Sequence, residues 1–208
     1  MEDLNSEMEE ISLKILLVGD SSVGKTSILL RYTEDEFPDK YLSTISVDFH
    51  SKIFEFRGFK VQLQIYDTVG QEKFRSLTTN FFHNSDGIFF VFDITNQNSF
   101  TGVQFWIKDS EKIEDSFKKI LIGNKCDLKH IRKVSEEEVN NYCEKNQMDY
   151  FETSAKEDIN IKEAFEKIIE LIFKDKSDEE IRKLYSTRKS ILSTLTKTEK
   201  AKKGRKCC

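Results

Sequence analysis

The sequence predicts a three-layer α/β domain: a six-stranded, mostly parallel sheet with one antiparallel strand, and helices on both of its faces. Two observations carry this prediction. Short apolar runs alternate along the chain with helical patterns of about 10–15 residues, which is typical of βαβ units and a parallel sheet. Two β-rich segments, 47–56 and 60–67, flank a turn that contains Gly58 and predict a hairpin, so one strand is expected to be antiparallel.

The first half of the domain is expected to begin with a buried strand, because the apolar run 13–18 ends at Gly19. A helix is expected over residues 25–32. Residues 33–46 contain the only proline of the chain, Pro38, and are expected to form a loop. This loop leads into the two strands of the hairpin.

In the second half, the apolar runs 88–92 and 120–122 predict buried strands, since a polar turn follows each of them. Ser135 and Glu138 have the spacing of a capping box, so a helix is expected to begin there. The remaining patterns predict helices over residues 100–113, 135–145 and 161–173, and a last short strand over residues 150–152.

The composition is that of one soluble domain with solvated ends. Of the 208 residues, 38% are hydrophobic and 34% are charged, and seventeen Phe supply bulk for a core. The domain is expected to span residues 11–175, between a flexible acidic arm (1–10) and a polar tail (176–208). Its apolar runs are far shorter than the roughly 18–20 residues that a membrane-spanning helix requires.

The charge is concentrated at the two ends of the chain. Residues 1–12 carry a net charge of −5 and residues 197–206 a net charge of +5, so the middle carries the remaining −4. An acidic domain is a poor binder of nucleic acid, and no nucleic-acid partner is expected.

Residues 19–26 (Gly-Asp-Ser-Ser-Val-Gly-Lys-Thr) match a phosphate-binding loop that follows a predicted strand and opens a predicted helix. Glycines permit a turn whose backbone N–H groups face phosphate oxygens, and the helix N-terminus adds partial positive charge. Lys25 is expected to reach the β- and γ-phosphates, and the Thr26 hydroxyl to bind Mg²⁺. The residues expected to contact a nucleoside triphosphate are Ser21, Ser22, Val23, Gly24, Lys25, Thr26 and Ser27.

A second motif, Asn-Lys-Cys-Asp at residues 124–127, predicts recognition of guanine. The Asp127 carboxylate can accept hydrogen bonds from N1–H and the 2-amino group, a pair of donors that adenine lacks. Lys125 can lay its aliphatic stem over one face of the base, with Phe37 near the other face. A backbone N–H of residues 154–156 can meet the guanine O6. The residues expected to bind the base are Phe37, Asn124, Lys125, Asp127, Ser154, Ala155 and Lys156.

A third group of residues predicts a switch that senses the γ-phosphate. Asp67 is placed to hold Mg²⁺ through water, and Thr44 to give the metal a second hydroxyl when a γ-phosphate is present. The Gly70 N–H can bond that phosphate and Gln71 can orient the attacking water. Loss of the phosphate removes the bonds to Thr44 and Gly70, so both loops are expected to loosen. Catalysis is thus expected from Gln71 and Lys25, and metal binding from Thr26, Thr44 and Asp67.

With these motifs the chain resembles the Ras-like small GTPases and, within them, the Rab family. The resemblance covers residues 11–175, with all five nucleotide motifs in order. The Rab-like segments are 43–49 (STISVDF), 66–72 (YDTVGQE) and 73–79 (KFRSLTT), together with the terminal pair Cys207 and Cys208. The resemblance implies a P-loop G domain that binds GTP, GDP and Mg²⁺, hydrolyses GTP slowly and recruits effectors that regulate vesicle trafficking.

The same resemblance implies partners and a location. The expected partners of this monomer are an exchange factor, a GTPase-activating protein, a prenylation escort, a GDP-dissociation inhibitor, and effectors that bind residues 37–49 and 68–83. The pair Cys207 and Cys208 is similar to a site of double geranylgeranylation, and the basic run beside it would add attraction to an anionic leaflet. The chain would then be anchored at the cytoplasmic face of an endomembrane or the plasma membrane and would cycle with the cytosol. An unmodified basic tail is the alternative.

The sequence departs from the usual Rab pattern at Ser22, Ser46, Tyr66 and Val69, where the family commonly has Gly, Gly, Trp and Ala. Because the β-branched Val69 stiffens the hinge beside Gly70 and crowds the γ-phosphate, hydrolysis or exchange is expected to be altered and slowed. A hydrolysis-deficient, GTP-bound scaffold is therefore an alternative function. A phosphate-loop kinase or ATPase is a second alternative, which the guanine motif disfavours.

Apolar residues recur near helical spacing in the polar tail, between residues 181 and 195. A flexible spacer is the favoured interpretation of this segment. The alternative is an amphipathic helix that rests on a membrane or on a partner.

Overall fold

The computed structural model describes residues 9–38, 44, 48–68, 81–113 and 116–186. The strands are β1 (Glu10–Val18), β2 (Asp48–Phe56), β3 (Phe59–Asp67), β4 (Gly87–Asp93), β5 (Lys118–Asn124) and β6 (Asp149–Thr153). The helices are α1 (Lys25–Glu34), α2 (Gln97–Glu111), α3 (Glu136–Asn146) and α4 (Ile161–Phe173), with a 3₁₀ helix over Cys126–Ile131. Residues 178–186 are helical as well. Among the helices of these described ranges, none is both long and apolar enough to cross a membrane.

The strands form a six-stranded sheet in the order β2-β3-β1-β4-β5-β6. All neighbouring pairs are parallel except β2 and β3. Those two strands are joined by a two-residue turn in which Arg57 and Gly58 have positive φ values of 51° and 76°. Such turns match the twist of a hairpin, and the pairing of Phe56 with Phe59 fixes its register. The structure therefore confirms the predicted α/β fold with one antiparallel strand.

Alternate residues of the central strands face two hydrophobic cores, one on each side of the sheet. In β1, Leu13, Ile15 and Leu17 pack on one side, and Leu16 and Val18 pack on the other. The first core is closed by α1 and α4, and the second by α2 and α3. Because both faces of the sheet are covered beside it, the central strand β4 is buried along its whole length, as is typical of parallel sheets.

The helical segment 178–186, which belongs to the expected polar tail, packs on the domain. Ile181 is completely buried and Tyr185 is 7% exposed within the core formed by α1 and α4. The Tyr185 hydroxyl donates to Asp86 Oδ1 at 3.1 Å, and Arg182 Nε lies 2.7 Å from Glu9 Oε2. The packed structure thus continues past the boundary predicted at residue 175. This part of the segment is neither a free spacer nor an uncovered amphipathic helix, because its apolar residues already have a partner within the chain.

Candidate nucleotide-binding site

The predicted site residues lie along one edge of the sheet, because parallel strands present their carboxyl ends at the same edge. The phosphate motif follows β1, Asp67 ends β3, and Asn124 ends β5. The segment 154–156 follows β6 at this edge. Six residues to which a role was assigned from the sequence lie outside the described residues: Gly70 and Gln71 of the predicted site, Ser46 and Val69 among the departures, and the terminal Cys207 and Cys208.

Two glycines of the phosphate motif allow close approaches that a side chain would prevent. A Cβ on Gly19 would lie 2.1 Å from the Val91 carbonyl oxygen, and a Cβ on Gly24 would lie 2.2 Å from Asn124 Nδ2. Gly24 also has a φ of 101°. Ser22 has a left-handed φ of 65°, so the serine at this position bears a conformational cost that glycine would avoid.

Lys25 begins α1 and places its ammonium group inside the loop. Its Nζ donates to the carbonyl oxygens of Gly19 at 2.9 Å and of Asp20 at 2.8 Å. The residue is only 6% exposed, so solvent screens its charge weakly. The first backbone N–H groups of α1 lack intrahelical partners and add partial positive charge at the same place. Together these groups can neutralise a phosphate.

The three predicted metal-binding residues come together although they lie far apart in the sequence. Thr26 Oγ1 lies 3.0 Å from Thr44 Oγ1 and donates to Asp67 Oδ2 at 2.5 Å. Thr44 Oγ1 is itself 3.4 Å from the same carboxylate oxygen. Two hydroxyls and one carboxylate are the hard oxygen donors that Mg²⁺ prefers.

The second carboxylate oxygen of Asp67 tests whether this set fits a cation. Asp67 is completely buried, and its Oδ1 has no hydrogen-bond partner among the described residues. Burial raises the pKa of Asp67 against the opposing effects of Thr26 and Lys25. A buried carboxylate with an unsatisfied oxygen is costly unless a cation or water approaches it. The residues therefore fit Mg²⁺, which Thr26, Thr44 and Asp67 would hold directly or through water.

Asn124 joins the base motif to the phosphate loop. Its side-chain nitrogen donates to the Val23 carbonyl at 2.9 Å, and its side-chain oxygen accepts from Thr153 Oγ1 at 3.1 Å. The residue is almost fully buried, and both ends of its amide are occupied by the protein. Asn124 therefore holds the elements around the site in register. Its amide nitrogen carries a second N–H, so its contact with the base stays a prediction.

Asp127 and Ser154, predicted from separate motifs, are in direct contact. Ser154 Oγ donates to Asp127 Oδ1 at 2.6 Å and accepts from the Glu157 N–H at 3.1 Å. This chain of bonds fixes one oxygen of the carboxylate and thereby its orientation. A carboxylate fixed in this way is suited to recognise a pair of N–H donors.

Lys125 reaches from the end of β5 to the phosphate loop. Its Nζ donates to the Ser22 carbonyl at 2.8 Å and pairs with Asp93 Oδ2 at 2.7 Å. Held at its tip, the side chain presents its aliphatic stem along the site, as predicted for a residue that covers one face of a base. Phe37, the residue predicted for the opposite face, is 41% exposed, and its contact with the base stays a prediction.

The structure adds supporting residues that the sequence did not reveal. Arg31, on α1, donates from Nε to the Ala155 carbonyl at 2.9 Å and fixes the loop that follows β6. Asp93 anchors Lys125, and Thr153 anchors Asn124. Trp106 of α2 donates from Nε1 to Asp20 Oδ1 of the phosphate motif at 2.9 Å. None of them belongs to a local motif, so no signal in the sequence pointed to them.

Comparison with known proteins agrees with this geometry. The family model described as the Ras family matches residues 14–174. The chain is 43% identical over 163 residues to the GTP-binding protein YPT1 of Saccharomyces cerevisiae, covering 78% of this chain and 79% of the relative. It is 46% identical over 153 residues to the GTP-binding protein YPTM1 of Zea mays, covering 73% of this chain and 74% of the relative. It is 42% identical over 153 residues to the Ras-related protein Rab-13 of Rattus norvegicus, covering 73% of this chain and 75% of the relative.

The family match spans the sheet and the described site from β1 to α4, and the relatives cover more than two thirds of the chain. The resemblance inferred from the motifs is thereby confirmed. The chain belongs to the Ras family and, within it, to the Rab small GTPases, which are GTP hydrolases.

Proposed function

We propose that this Rab-family GTPase is a slow GTP/GDP switch that recruits effectors to membranes of the vesicle-trafficking system. The observation that carries the proposal is the convergence of Thr26, Thr44 and Asp67. Thr44 comes from the loop after α1, whereas Thr26 belongs to the phosphate loop. The contact between Thr26 and Thr44 ties the loop after α1 to the phosphate site. A switch that responds to the γ-phosphate requires such a connection.

Hydrolysis would come from positioning and charge neutralisation. Lys25 neutralises phosphate charge inside the loop, and Gln71 orients the attacking water. Mg²⁺, when bound, adds charge neutralisation at the β- and γ-phosphate oxygens. The Gly70 N–H holds the γ-phosphate, and its bond is lost together with that of Thr44 when the phosphate leaves. A GTPase-activating protein would complete the site, and an exchange factor would reload it.

Effectors would bind residues 37–49 and 68–83, and a partly exposed aromatic row supports this assignment. The rings of Phe49 and Tyr66 lie 5.1 Å apart, and those of Tyr66 and Phe81 lie 6.0 Å apart. Phe49 is 48% exposed. Aromatic side chains on a surface that borders both switch loops are typical of binding sites for protein partners.

Membrane attachment would come from geranylgeranyl groups on Cys207 and Cys208. One lipid anchors a protein only marginally, so two adjacent chains are the physical requirement for stable attachment. A prenylation escort and a GDP-dissociation inhibitor would deliver and retrieve the lipidated chain at the cytoplasmic face of its membrane. Incubation in a prenylating lysate tests this step, because an unchanged intact mass would contradict it.

The switch is tested by Thr44→Ala. Because Thr44 serves the metal only with a γ-phosphate, the variant should lose Mg²⁺-dependent affinity for a non-hydrolysable GTP analogue and keep its affinity for GDP. Titrations with and without EDTA measure both. Thr33→Ala is the matched control, since Thr33 Oγ1 contacts none of the three metal-binding residues: it donates to the Leu29 carbonyl at 2.9 Å and lies 3.5 Å from His50 Nδ1. Equal loss for both nucleotides, or preference of wild type for ATP, would refute the proposal.

A GTP-bound scaffold without useful hydrolysis is the second candidate, and Val69 is the observation that favours it. Single-turnover hydrolysis and nucleotide exchange should be compared between wild type and Val69→Ala, each with and without an activating protein. Faster hydrolysis in the variant, with measurable turnover in wild type, supports a slow switch. A wild type that stays in the GTP form even with an activating protein supports the scaffold.

A further inference from the structure

Asp20 places a negative charge in the middle of a loop that is otherwise built to attract phosphate. The carboxylate could repel the nucleotide if it turned into the loop, because like charges a few ångströms apart repel strongly in a poorly solvated site. Its two oxygens instead face α2. Oδ1 accepts a hydrogen bond from Trp106 Nε1 at 2.9 Å, and Oδ2 would lie 2.0 Å from a Cβ on Gly102.

Gly102 and Trp106 form a receptor for this carboxylate. They are four residues apart on α2 and therefore lie on the same face of the helix. Trp106 is 2% exposed and packs in the core between α2, α3 and the sheet, so its ring has little freedom to move. Gly102 leaves the space that Oδ2 occupies, which even an alanine would fill.

The backbone of Asp20 is held from the opposite side. Its carbonyl oxygen accepts from Lys25 Nζ at 2.8 Å inside the loop. The residue thus points its carbonyl toward the phosphate-binding lysine and its carboxylate toward α2. Release of the carboxylate from Trp106 would disturb both the local charge and the carbonyl that positions Lys25.

We propose that Trp106 and Gly102 position the phosphate loop by holding the Asp20 carboxylate away from the bound phosphates. Trp106 is then a positioning residue for nucleotide binding, which acts through Asp20 and touches no part of the nucleotide. This inference rests on the proposed assignment of residues 21–27 as the residues that contact the nucleotide.

The experiment measures release of a fluorescent GDP analogue from Mg²⁺-loaded, full-length protein after addition of excess GDP. Trp106→Phe keeps an aromatic side chain but removes the indole N–H donor, so release should be about tenfold faster, the equivalent of one charged hydrogen bond. Adding Asp20→Asn to Trp106→Phe removes the freed charge and should restore release to within about threefold of wild type. Asp20→Asn alone should release the nucleotide no faster than wild type.

Gly102→Ala provides a second route to the same result, because it displaces the carboxylate without opening a cavity. It should also speed release, even if Trp106→Phe folds poorly. Phe105→Leu is the matched control on the same helix: Phe105 is 54% exposed, and its substitution should leave release unchanged.

Three outcomes would overturn the inference. Unchanged release in both Trp106→Phe and Gly102→Ala would show that the contact does not act on the nucleotide. Failure of Asp20→Asn to rescue Trp106→Phe would show that the tryptophan only supports the fold. Absence of guanine nucleotide binding by wild type would refute the proposed site itself. The wild-type measurement alone gives this result, so it is distinguishable from a failure of the inference about Trp106, which only the variants can show.

Discussion

At the scale of single residues, Asp67 makes the fold less stable so that a cation can bind. It is completely buried, one of its oxygens lacks a partner among the described residues, and burial raises its pKa. A raised pKa means that the folded state binds the proton more tightly than the unfolded state. The unfolding free energy should therefore fall as the pH rises through the raised pKa, because the folded state then has to bury a charged carboxylate.

Asp67→Asn should consequently stabilise the nucleotide-free protein while it abolishes metal-dependent binding. We expect a gain of about 1–3 kcal/mol in unfolding free energy at neutral pH, because the variant buries no charge. Urea unfolding in EDTA measures the gain, which should shrink at acidic pH. With Mg²⁺ and GDP present, wild type should become more stable than the variant, since only wild type gains unfolding free energy from metal binding. A variant that is less stable in EDTA would contradict this account.

Residues that belong to a contiguous motif were predictable, and residues that support them were not. Asp127 and Ser154 were assigned from two short motifs, and the structure joins them by a 2.6 Å hydrogen bond. Arg31 and Trp106 act across 124 and 86 positions of sequence separation. An arginine or a tryptophan in a helix has many possible partners, and only the packing of the helix on the sheet selects one.

At the scale of secondary-structure elements, an ion pair fixes the 3₁₀ helix beside Asp127 to β6. Arg132 makes two parallel hydrogen bonds of 2.7 Å to Glu152, and the Tyr150 hydroxyl donates to Glu152 at 2.8 Å. Burial acts to raise the pKa of Glu152, but the bonds from Arg132 and Tyr150 outweigh it and hold the pKa below its ordinary value. Bidentate geometry makes this pair stronger than an ordinary surface ion pair.

Glu152→Gln should cost about 1.5–3 kcal/mol of unfolding free energy at neutral pH, the range for hydrogen bonds to charged groups. Because the folded-state pKa is lowered, the stabilisation is present above the unfolded-state pKa and is lost as the pH falls through the folded-state value. The difference between variant and wild type should therefore close in acid. Glu157→Gln is the control, since the Glu157 side chain lies in an exposed pair with Lys156 at 3.7 Å and the substitution keeps the bond of its backbone N–H. A difference that persists unchanged in acid would contradict the role of the charge.

The helical segment 178–186 was not predicted as a packed element of the domain. Ser177 and Glu180 form a complete capping box: Ser177 Oγ accepts from the Glu180 N–H at 3.3 Å, and Glu180 Oε2 accepts from the Ser177 N–H at 2.7 Å. The same spacing correctly predicted the start of α3 at Ser135, where the side chain accepts from the Glu138 N–H. The polar composition of the tail concealed this signal, because Ile181 and Tyr185 are the only buried residues within the described segment 178–186.

Ile181→Ala should cost about 2–5 kcal/mol of unfolding free energy, as a buried truncation in a core does. A residue in a solvated tail would change stability by less than about 0.5 kcal/mol. Leu184→Ala is the matched control on the same helix, because Leu184 is 37% exposed. Equilibrium unfolding in urea separates the two cases, and equal, small effects would show that the segment does not pack on the domain in solution.

At the scale of the whole molecule, the candidate nucleotide site and the helical segment 178–186 lie at opposite ends of the sheet. The nucleotide site lies at the carboxyl ends of the parallel strands. The segment 178–186 bonds instead to Glu9 and Asp86, which immediately precede β1 and β4 at the amino ends. The parallel topology was predictable from the sequence, but the position of segment 178–186 was not, because it depends on the packing of Ile181 and Tyr185.

We propose that two membrane signals act together. They are the pair of lipids on Cys207 and Cys208 and the basic run of net charge +5 at residues 197–206. In cells, Cys207→Ser with Cys208→Ser should be fully released from membranes. A single substitution leaves one lipid, which binds the membrane only marginally. The basic run then adds an electrostatic attraction of about 1 kcal/mol per basic residue near an anionic leaflet. Since salt screens only the electrostatic part, each single variant should leave washed membranes in about 1 M salt, where the Debye length is roughly 3 Å, while wild type stays. Fractionation with immunoblotting measures this, and a single variant that resists salt as wild type does would show that one lipid suffices.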